Sequence, residues 1–423
     1  MLVDMQKILS ARKAFQMTND ELRSTSAAFR YDIEHGLSDP DTSTLRLLPA
    51  YTNLPDGRET GTYIALDFGG TNIRVLRIRL LGNGCFDVEA RVERPFRIEG
   101  QYDYIGEGTT ADQLWDFTAE LVDAVVNGDH ETPYKLGHTF SFPSEQTNIN
   151  DARLICWTKE FRTQGVEGEV VNDQLKAALL RRGLSNVEPV AVINDTVAVL
   201  LSAAYAHQKT FVGSIVATGH NTCYLENFND QKTPMVINME SGNFGKLLPN
   251  HFDSRLDAAS LRPGEQRMEK MVSGKYLGAL FTLALSDAVG SQVLDKPFSS
   301  VDLSAVLAAP DYGAEILKLH TGEEFSQDEA YAANTLAEEI VRRSARLIAA
   351  TYAGTLWHLA GSGMVLPQKI AIEGNVYAKM PVIREALNEA LYDLLGHEAT
   401  GIEIDYITDG GGLGAALAAA MVE

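Results

Sequence analysis

Cysteine is scarce in this chain. Cys85, Cys156 and Cys223 make an odd number at scattered spacings, which excludes a fully paired disulfide framework and a zinc-type cluster and fits reduced thiols. Basic charge is also short: 36 Lys and Arg against 57 Asp and Glu leave a formal net charge of −21. Broad binding to nucleic acid or anionic lipid draws its affinity from phosphate neutralisation, so neither partner is expected. An anionic ligand needs a local site. Long apolar runs are missing too. The least polar stretch, Ile348 to Leu366, carries His358 and three glycines, whereas a spanning helix needs about 20 mostly apolar residues. It reads as a buried helix running into a loop. The opening MLVDMQKILSARKAF lacks the basic-then-apolar order of a secretory signal, so a cytoplasmic protein is expected.

What is present fits an ordinary globular protein, 45% hydrophobic and 22% charged. Single cores stop growing at roughly 250 to 300 residues, so 423 residues leave room for two domains and a cleft between them. Residues 1 to 46 read as helical, with Leu22, Phe29, Ile33 and Leu37 on one face and Gly36 near a stop. From Thr62 to Leu80 two β-rich runs flank Gly69-Gly70 as a hairpin. Further strands are expected at 135–142, 189–193, 211–217, 235–239, 369–372 and 402–406, with helices at 170–182, 264–285, 328–350 and 380–395. Such alternation predicts α/β layers. Leu66 to Thr71 and Ile215 to Gly219 are loosely alike, which suggests a duplicated half.

Three segments carry chemistry. LDFGGTNIR, Leu66 to Arg74, puts a carboxylate at a strand end before two glycines and a hydroxyl. Backbone N–H groups exposed by glycine can hold a phosphate, and Asp67 can hold hydrated Mg²⁺. The same residues can also make a plain hairpin turn. In VINDTVAVLL, Asn194 and Asp195 stand where a strand gives way to a helix, suited to a proton acceptor beside an orienting amide, the alternative being that Asp195 or Thr196 only caps the helix. VATGHNTCYLE delivers a second strand into the turn at Thr218-Gly219.

Taken in order, LLPAYTNLPDG, LDFGGTNIRVL, FSFPSEQ, CWTKEF, INDTVAVLL, TGHNTCYLE, INMESGNFG, RPGEQRMEKMVSGKYLGAL, IAIEGNVYAKMP and DGGGLGAAL resemble the eukaryote-type hexokinase and glucokinase family, from about Phe15 to the C-terminus. The resemblance implies a two-lobed actin-like ATPase (ribonuclease H-like) α/β fold with the hexose in the cleft. The large lobe would comprise 1–58 and 195–408, the small lobe 59–194 and 409–423. Ser141, Thr158, Lys159, Asn194, Asp195, Asn221, Glu240, Gln266 and Glu269 match hexose-binding positions. Asp195 matches the catalytic base, and Lys159 sits where positive charge assists the transferring phosphoryl group. Asp67, Gly69, Gly70, Thr71, Asn72, Arg74, Thr218, Gly219, Gly274, Lys275, Gly374 and Asn375 match ATP-contacting positions, with Asp67 holding Mg²⁺ through water.

The implied activity is ATP-dependent phosphorylation of the hexose 6-hydroxyl, the first step of glycolysis, by a monomer or homodimer. Departures from the family pattern fall at Glu160, His220, Ser241, Gly411 and Leu413. A kinase for mannose, fructose or an aminosugar is the runner-up. A catalytically silent hexose sensor and a filament-forming actin relative are the rivals from other classes. The presence of Asp67, Gly70, Thr71, Asp195 and Thr218 favours an enzyme over a sensor.

Overall fold

The computed structural model describes residues 3–158, 160–227, 233–290, 294 and 296–422. Two helices lead, α1 (Met5–Phe15) and α2 (Asn19–Gly36), so the helical run expected over residues 1 to 46 breaks between them. The break is local chemistry. Thr18 caps α2, accepting the Glu21 N–H while Glu21 returns to the Thr18 N–H.

The first large sheet contains β1 (Thr60–Phe68), β2 (Asn72–Gly82), β3 (Cys85–Pro95), β4 (Tyr134–Phe140) and β5 (Val187–Ile193), in the order β5-β4-β1-β2-β3. β1, β2 and β3 pair antiparallel; β4 and β5 extend the sheet in parallel. The second contains β6 (Thr210–Val216), β7 (His220–Glu226), β8 (Met235–Asn238), β9 (Gln368–Glu373) and β10 (Ile402–Tyr406), in the order β8-β7-β6-β9-β10 with Leu48–Pro49 beside β8. Its pairings repeat those of the first sheet: antiparallel β6, β7 and β8, then parallel β9 and β10. The two strand-plus-glycine segments picked out in the sequence are the equivalent β1–β2 and β6–β7 turns.

Both faces of the first sheet are covered. Ile64, Leu66, Phe68, Ile73 and Val75 join the core under α3 (Ala111–Val126) and α4 (Val171–Arg181), while Ala65, Leu76, Ile78 and Leu80 face the opposite core. That second core is closed by α5 (Asp195–Ala206) and the C-terminal helix. Helices α6 (His251–Ala258), α7 (Arg267–Val272), α8 (Gly274–Val289), α9 (Ser300–Ala308), α10 (Ala314–Thr321), α11 (Gln327–Ala360), α12 (Asn375–Lys379) and α13 (Pro381–Leu395) belong to the second half, and α14 (Gly410–Ala420) ends the chain. The single helix expected over 264–285 is two, α7 and α8, parted at Ser273, because the Gly274 N–H donates out of the helix to Ala217 O at 2.9 Å.

Small residues let α14 lie flat on the first sheet and against α5. A Cβ on Gly137 of β4 would sit 1.8 Å from Ala415 O, and one on Gly414 would sit 2.3 Å from Ala198 O. Buried charge is paired: Arg343 of α11 donates twice to the Asp253 carboxylate, at 2.7 Å each. No described helix is long and apolar enough to cross a membrane.

Candidate active site

Phe68 anchors the end of β1. Its ring packs among Phe96, Phe140, Trp115 and Phe161, with centroids 4.6 to 5.7 Å away. Strand alternation then turns the preceding carboxylate the other way. Asp67 accepts from Thr139 Oγ1 at 2.9 Å and lies 3.4 Å from the Arg74 guanidinium. Arg74 also reaches Glu93 at 3.2 Å and Asp409 at 2.9 Å. In the turn, the Gly69 N–H donates to Asn72 O at 3.0 Å, and a Cβ on Gly69 would sit 2.7 Å from that oxygen. Thr71 and Asn72 are exposed beyond Gly70.

The equivalent turn of the second sheet is built by close approach. The Lys275 N–H donates to Thr218 O at 3.1 Å, one residue past the Gly274 bond that opens α8. Gly374, at φ 138°, leaves only 2.2 Å between a would-be Cβ and Val216 O. These contacts bring Thr218, Gly219, Gly274, Lys275, Gly374 and Asn375 together, with the Lys275 side chain exposed.

Between the sheets, β5 runs through Asn194 into α5 at Asp195. Asn194 Oδ1 caps the helix, accepting from the Thr196 N–H at 2.9 Å and Thr196 Oγ1 at 2.6 Å, while Asp195 Oδ1 accepts the same N–H at 2.8 Å. The N-cap is therefore Asn194, not Asp195 or Thr196 as the alternative reading of the sequence had it, and Asp195 is the first residue of the helix. Asn221 Nδ2 donates to Asn194 Oδ1 and Glu240 Oε1, 3.4 Å each. Glu269 Oε2 accepts the His220 N–H at 3.3 Å, and Gln266 Oε1 lies over Gly242. Glu240 and Gln266 both hold positive φ, 51° and 52°. Ser141 follows β4, and Thr158 follows the buried Trp157; no hydrogen bond among the described residues joins either to the Asn194–Glu240 set. Lys159 lies outside the described residues.

Two acids in this site escaped the sequence reading. Glu373, at the end of β9, accepts the Gly410 N–H at 3.2 Å, and Asp409 precedes α14. Each stands directly before a glycine, close to the signal that marked Asp67, whose glycines begin two residues on. The Glu373 carboxyl is pushed up to about 7, first by burial, then by the charges of Asp67, Asp195 and Asp409, against the Gly410 N–H. Burial likewise raises Asp67, opposed by Thr139 and Arg74 and reinforced by Asp195 and Asp409. Glu240 is raised by burial, with Asp195 and Glu269 adding to it.

Hard carboxylate oxygens that repel one another fit a divalent cation. No three His, Cys, Asp or Glu groups among the described residues converge tightly enough to hold a bare ion. Of the departures, Ser241 is fully buried with Oγ donating to Thr222 Oγ1 at 3.2 Å. His220 is buried and kept neutral, its ring lowered to about 4 by burial. Glu160 lies 3.6 Å from Arg97, and Leu413 packs into the core between α14 and the first sheet. A Cβ on Gly411 would sit 3.0 Å from the Asp67 carboxylate, so that carboxylate is met by bare backbone.

Family models described as hexokinase match residues 7–205 and 211–421. Hexokinase-2 of Rattus norvegicus is 33% identical over 451 residues, covering 98% of this chain and 48% of the relative. Hexokinase-1 of Schizosaccharomyces pombe is 33% identical, covering 96% of this chain and 89% of the relative. The chain thus spans about half the length of the rat protein, at 48%, and most of the yeast one, at 89%. A solved structure of hexokinase from Schistosoma mansoni complexed with glucose superposes with a TM-score of 0.82 at 31% identity, covering 99% of each chain. The paired sheets are accordingly the actin-like ATPase fold. Matched by these models along nearly its whole length, the chain belongs to the hexokinase family.

Proposed function

We propose that the chain transfers the γ-phosphoryl group of ATP to the 6-hydroxyl of glucose or a related hexose, in the cytoplasm, as the first step of glycolysis. The hexose would lie between two lobes, residues 1–58 with 195–408 and residues 59–194 with 409–423. The observation that carries this reading is the position of Asp195. Its charge adds to the raising of Glu240, in the proposed sugar set, and of Asp67 and Glu373, beside the proposed phosphate set, which supports Asp195 as a proton acceptor close to both.

In this mechanism the hexose O6 attacks the γ-phosphorus, the bond to the bridging oxygen of ADP breaks, and the O6 proton passes to Asp195. The Thr196 N–H holds the Asp195 carboxylate in place from the first turn of α5. Thr71 and Thr218, with the backbone N–H groups of their turns, hold the phosphates, and Lys159 supplies positive charge. Asp67 would hold Mg²⁺ through water, and the ion when bound neutralises the phosphate oxygens. Glu240, Glu269, Asn194, Asn221, Gln266, Ser141 and Thr158 supply the acceptors and donors a polyhydroxylated ring requires.

A coupled assay with glucose, mannose, fructose and an aminosugar, with and without Mg²⁺, tests the reading. Mg²⁺-dependent ADP release that requires a hexose is expected. Hexose binding without turnover of ATP on any hexose would sink it in favour of a sensor.

A further inference from the structure

Asn238, the last residue of β8, is 6% exposed and has no part in the contacts proposed above. Its Nδ2 donates to Glu240 Oε1 at 2.8 Å, and its Oδ1 accepts from Asn221 Nδ2 at 2.9 Å. The direction of these amides is fixed from outside. Asn221 Oδ1 accepts two backbone N–H groups, from Thr222 at 2.7 Å and Ser241 at 3.2 Å, so its Nδ2 has to face Asn238. Asn194 Oδ1 is likewise occupied by Thr196, which leaves the Asn194 Nδ2 as a donor. Glu240 itself sits at φ 51°, a left-handed conformation unfavourable for a residue with a Cβ. Backbone preference therefore does not aim its carboxylate. The Asn238 amide does.

We infer that Asn238 is a positioning residue for the hexose: it ties down Oε1 of Glu240 and fixes the Asn221 amide, leaving Glu240 Oε2 as acceptor and Asn194 Nδ2 as donor for the sugar hydroxyls. This rests on the hexose-kinase reading. Asn238 touches no reacting atom, so its loss should weaken hexose binding equally in the ground and transition states. The kinetic signature of such a loss is a raised KM with kcat preserved.

The test is steady-state kinetics on the full chain, with thermal unfolding to confirm the fold. Asn238→Asp keeps the size and the acceptor toward Asn221 but replaces the donor toward Glu240 with a second acceptor. It should raise the glucose KM about ten- to hundredfold, the scale of a hydrogen bond to a charged group, with the ATP KM and kcat within a few-fold of the parent.

Should Asn238→Asp fail to fold, Asn238→Ser shortens the side chain without adding charge and should show the same loss in KM alone. It carries a second readout. The Asn238 N–H and the charge of Arg46 hold the Glu240 carboxyl down, while burial, Asp195 and Glu269 push it up. Losing the N–H raises it further, so weakening of glucose binding on acidification should set in at a higher pH than in the parent. A parent chain that phosphorylates no hexose overturns the underlying reading. An active parent whose Asn238→Asp and Asn238→Ser variants keep the glucose KM within twofold overturns this inference alone.

Discussion

In each half of the molecule an antiparallel three-strand unit, two parallel strands and a helix follow in the same order, yet the two closing helices change places. α5 leaves the first sheet and packs chiefly on β6 of the second, whereas α14 leaves the second and packs chiefly on β4 and β1 of the first. The halves are joined by two helices that touch where Gly414 meets Ala198. Their N-terminal ends are equivalent strand-to-helix junctions with different equipment. Asp195 follows the Asn194 cap, whose Oδ1 also accepts from Asn221 Nδ2 at 3.4 Å; Asp409 is paired with Arg74 at 2.9 Å and Arg91 at 3.4 Å. The two acids therefore differ in their neighbours: among the described residues Asp409 is paired with two arginines and Asp195 with none, the difference expected if Asp195 is the proposed proton acceptor.

The largest expected effect breaks that comparison directly. Asp195→Asn keeps the hydrogen bond to Thr196 but removes the proton acceptor, and kcat should fall by about 10² to 10⁴, with glucose affinity by calorimetry lowered far less than turnover. Asp409→Asn should cost far less in kcat. If the two variants lose equally, the asymmetry drawn from their partners is wrong. Next is the crossing itself. Gly414→Ala places a Cβ 2.3 Å from Ala198 O by the present geometry, and overpacking of this kind costs about 1 to 3 kcal/mol. A urea midpoint unchanged in that variant would mean that the helices part easily.

A smaller, pH-dependent effect belongs to Glu373, which the Gly410 N–H ties to the start of α14. Its carboxyl keeps the proton to about 7 in the folded chain, against an ordinary 4.5. Between those values the folded state binds more protons than the unfolded one, so this group's contribution to stability falls as pH rises through that window. Glu373→Gln keeps the acceptor and removes the charge. It should leave stability unchanged near pH 4.5 and raise it above pH 7, measured by denaturant titration at both ends without nucleotide. A variant equally stable or less stable at pH 8 would contradict the assigned burial.

Sequence carried the strands and the turns because their signals are local: β1 and β2 flank Gly69-Gly70, and Asn194-Asp195 straddles the end of β5 and the start of α5. It missed β3, an edge strand whose residues are mostly exposed and whose Asp87, Glu89 and Glu93 pair with arginines of β2, so no apolar alternation marks it. α3 was missed despite its Thr110–Gln113 capping box. Ser273 as a helix break was illegible, since only the approach of Gly274 to Ala217 imposes it. The site divides the same way. Asp67 and Asp195 stood out beside their own glycine or amide neighbours, but that Glu373 and Asp409 join them depends on four segment ends from two sheets converging, and no local pattern records that. Asn238 lay inside INMESGNFG, but only Glu240 of that motif carried an expected role.

The smallest expected signal reports how the halves move. Ser141 and Thr158 come from the first sheet's side, and Asn221, Glu240 and Glu269 from the second, so a hexose held by both sets should draw them together and shut out water. Trp157 sits beside Thr158, its indole stacked on Phe161 at 4.8 Å and donating to Thr163 O at 2.8 Å. Being nearly buried already, it should report closure as a modest change in fluorescence. Trp115 is tied to Gln174 at 2.8 Å beneath α4, and Trp357 packs against the second half's core, so Trp157→Phe should remove most of the glucose-dependent change. Xylose, which lacks the 6-hydroxymethyl group, should close the cleft and leave room for water beside Asp195. Slow ATP hydrolysis above the sugar-free rate is the expected result, because sugar binding energy then assembles the site without filling it. Small-angle scattering at saturating glucose provides the independent measure: the radius of gyration should shrink, and an unchanged value together with unchanged fluorescence would mean that the two halves are already in their working arrangement before the sugar binds.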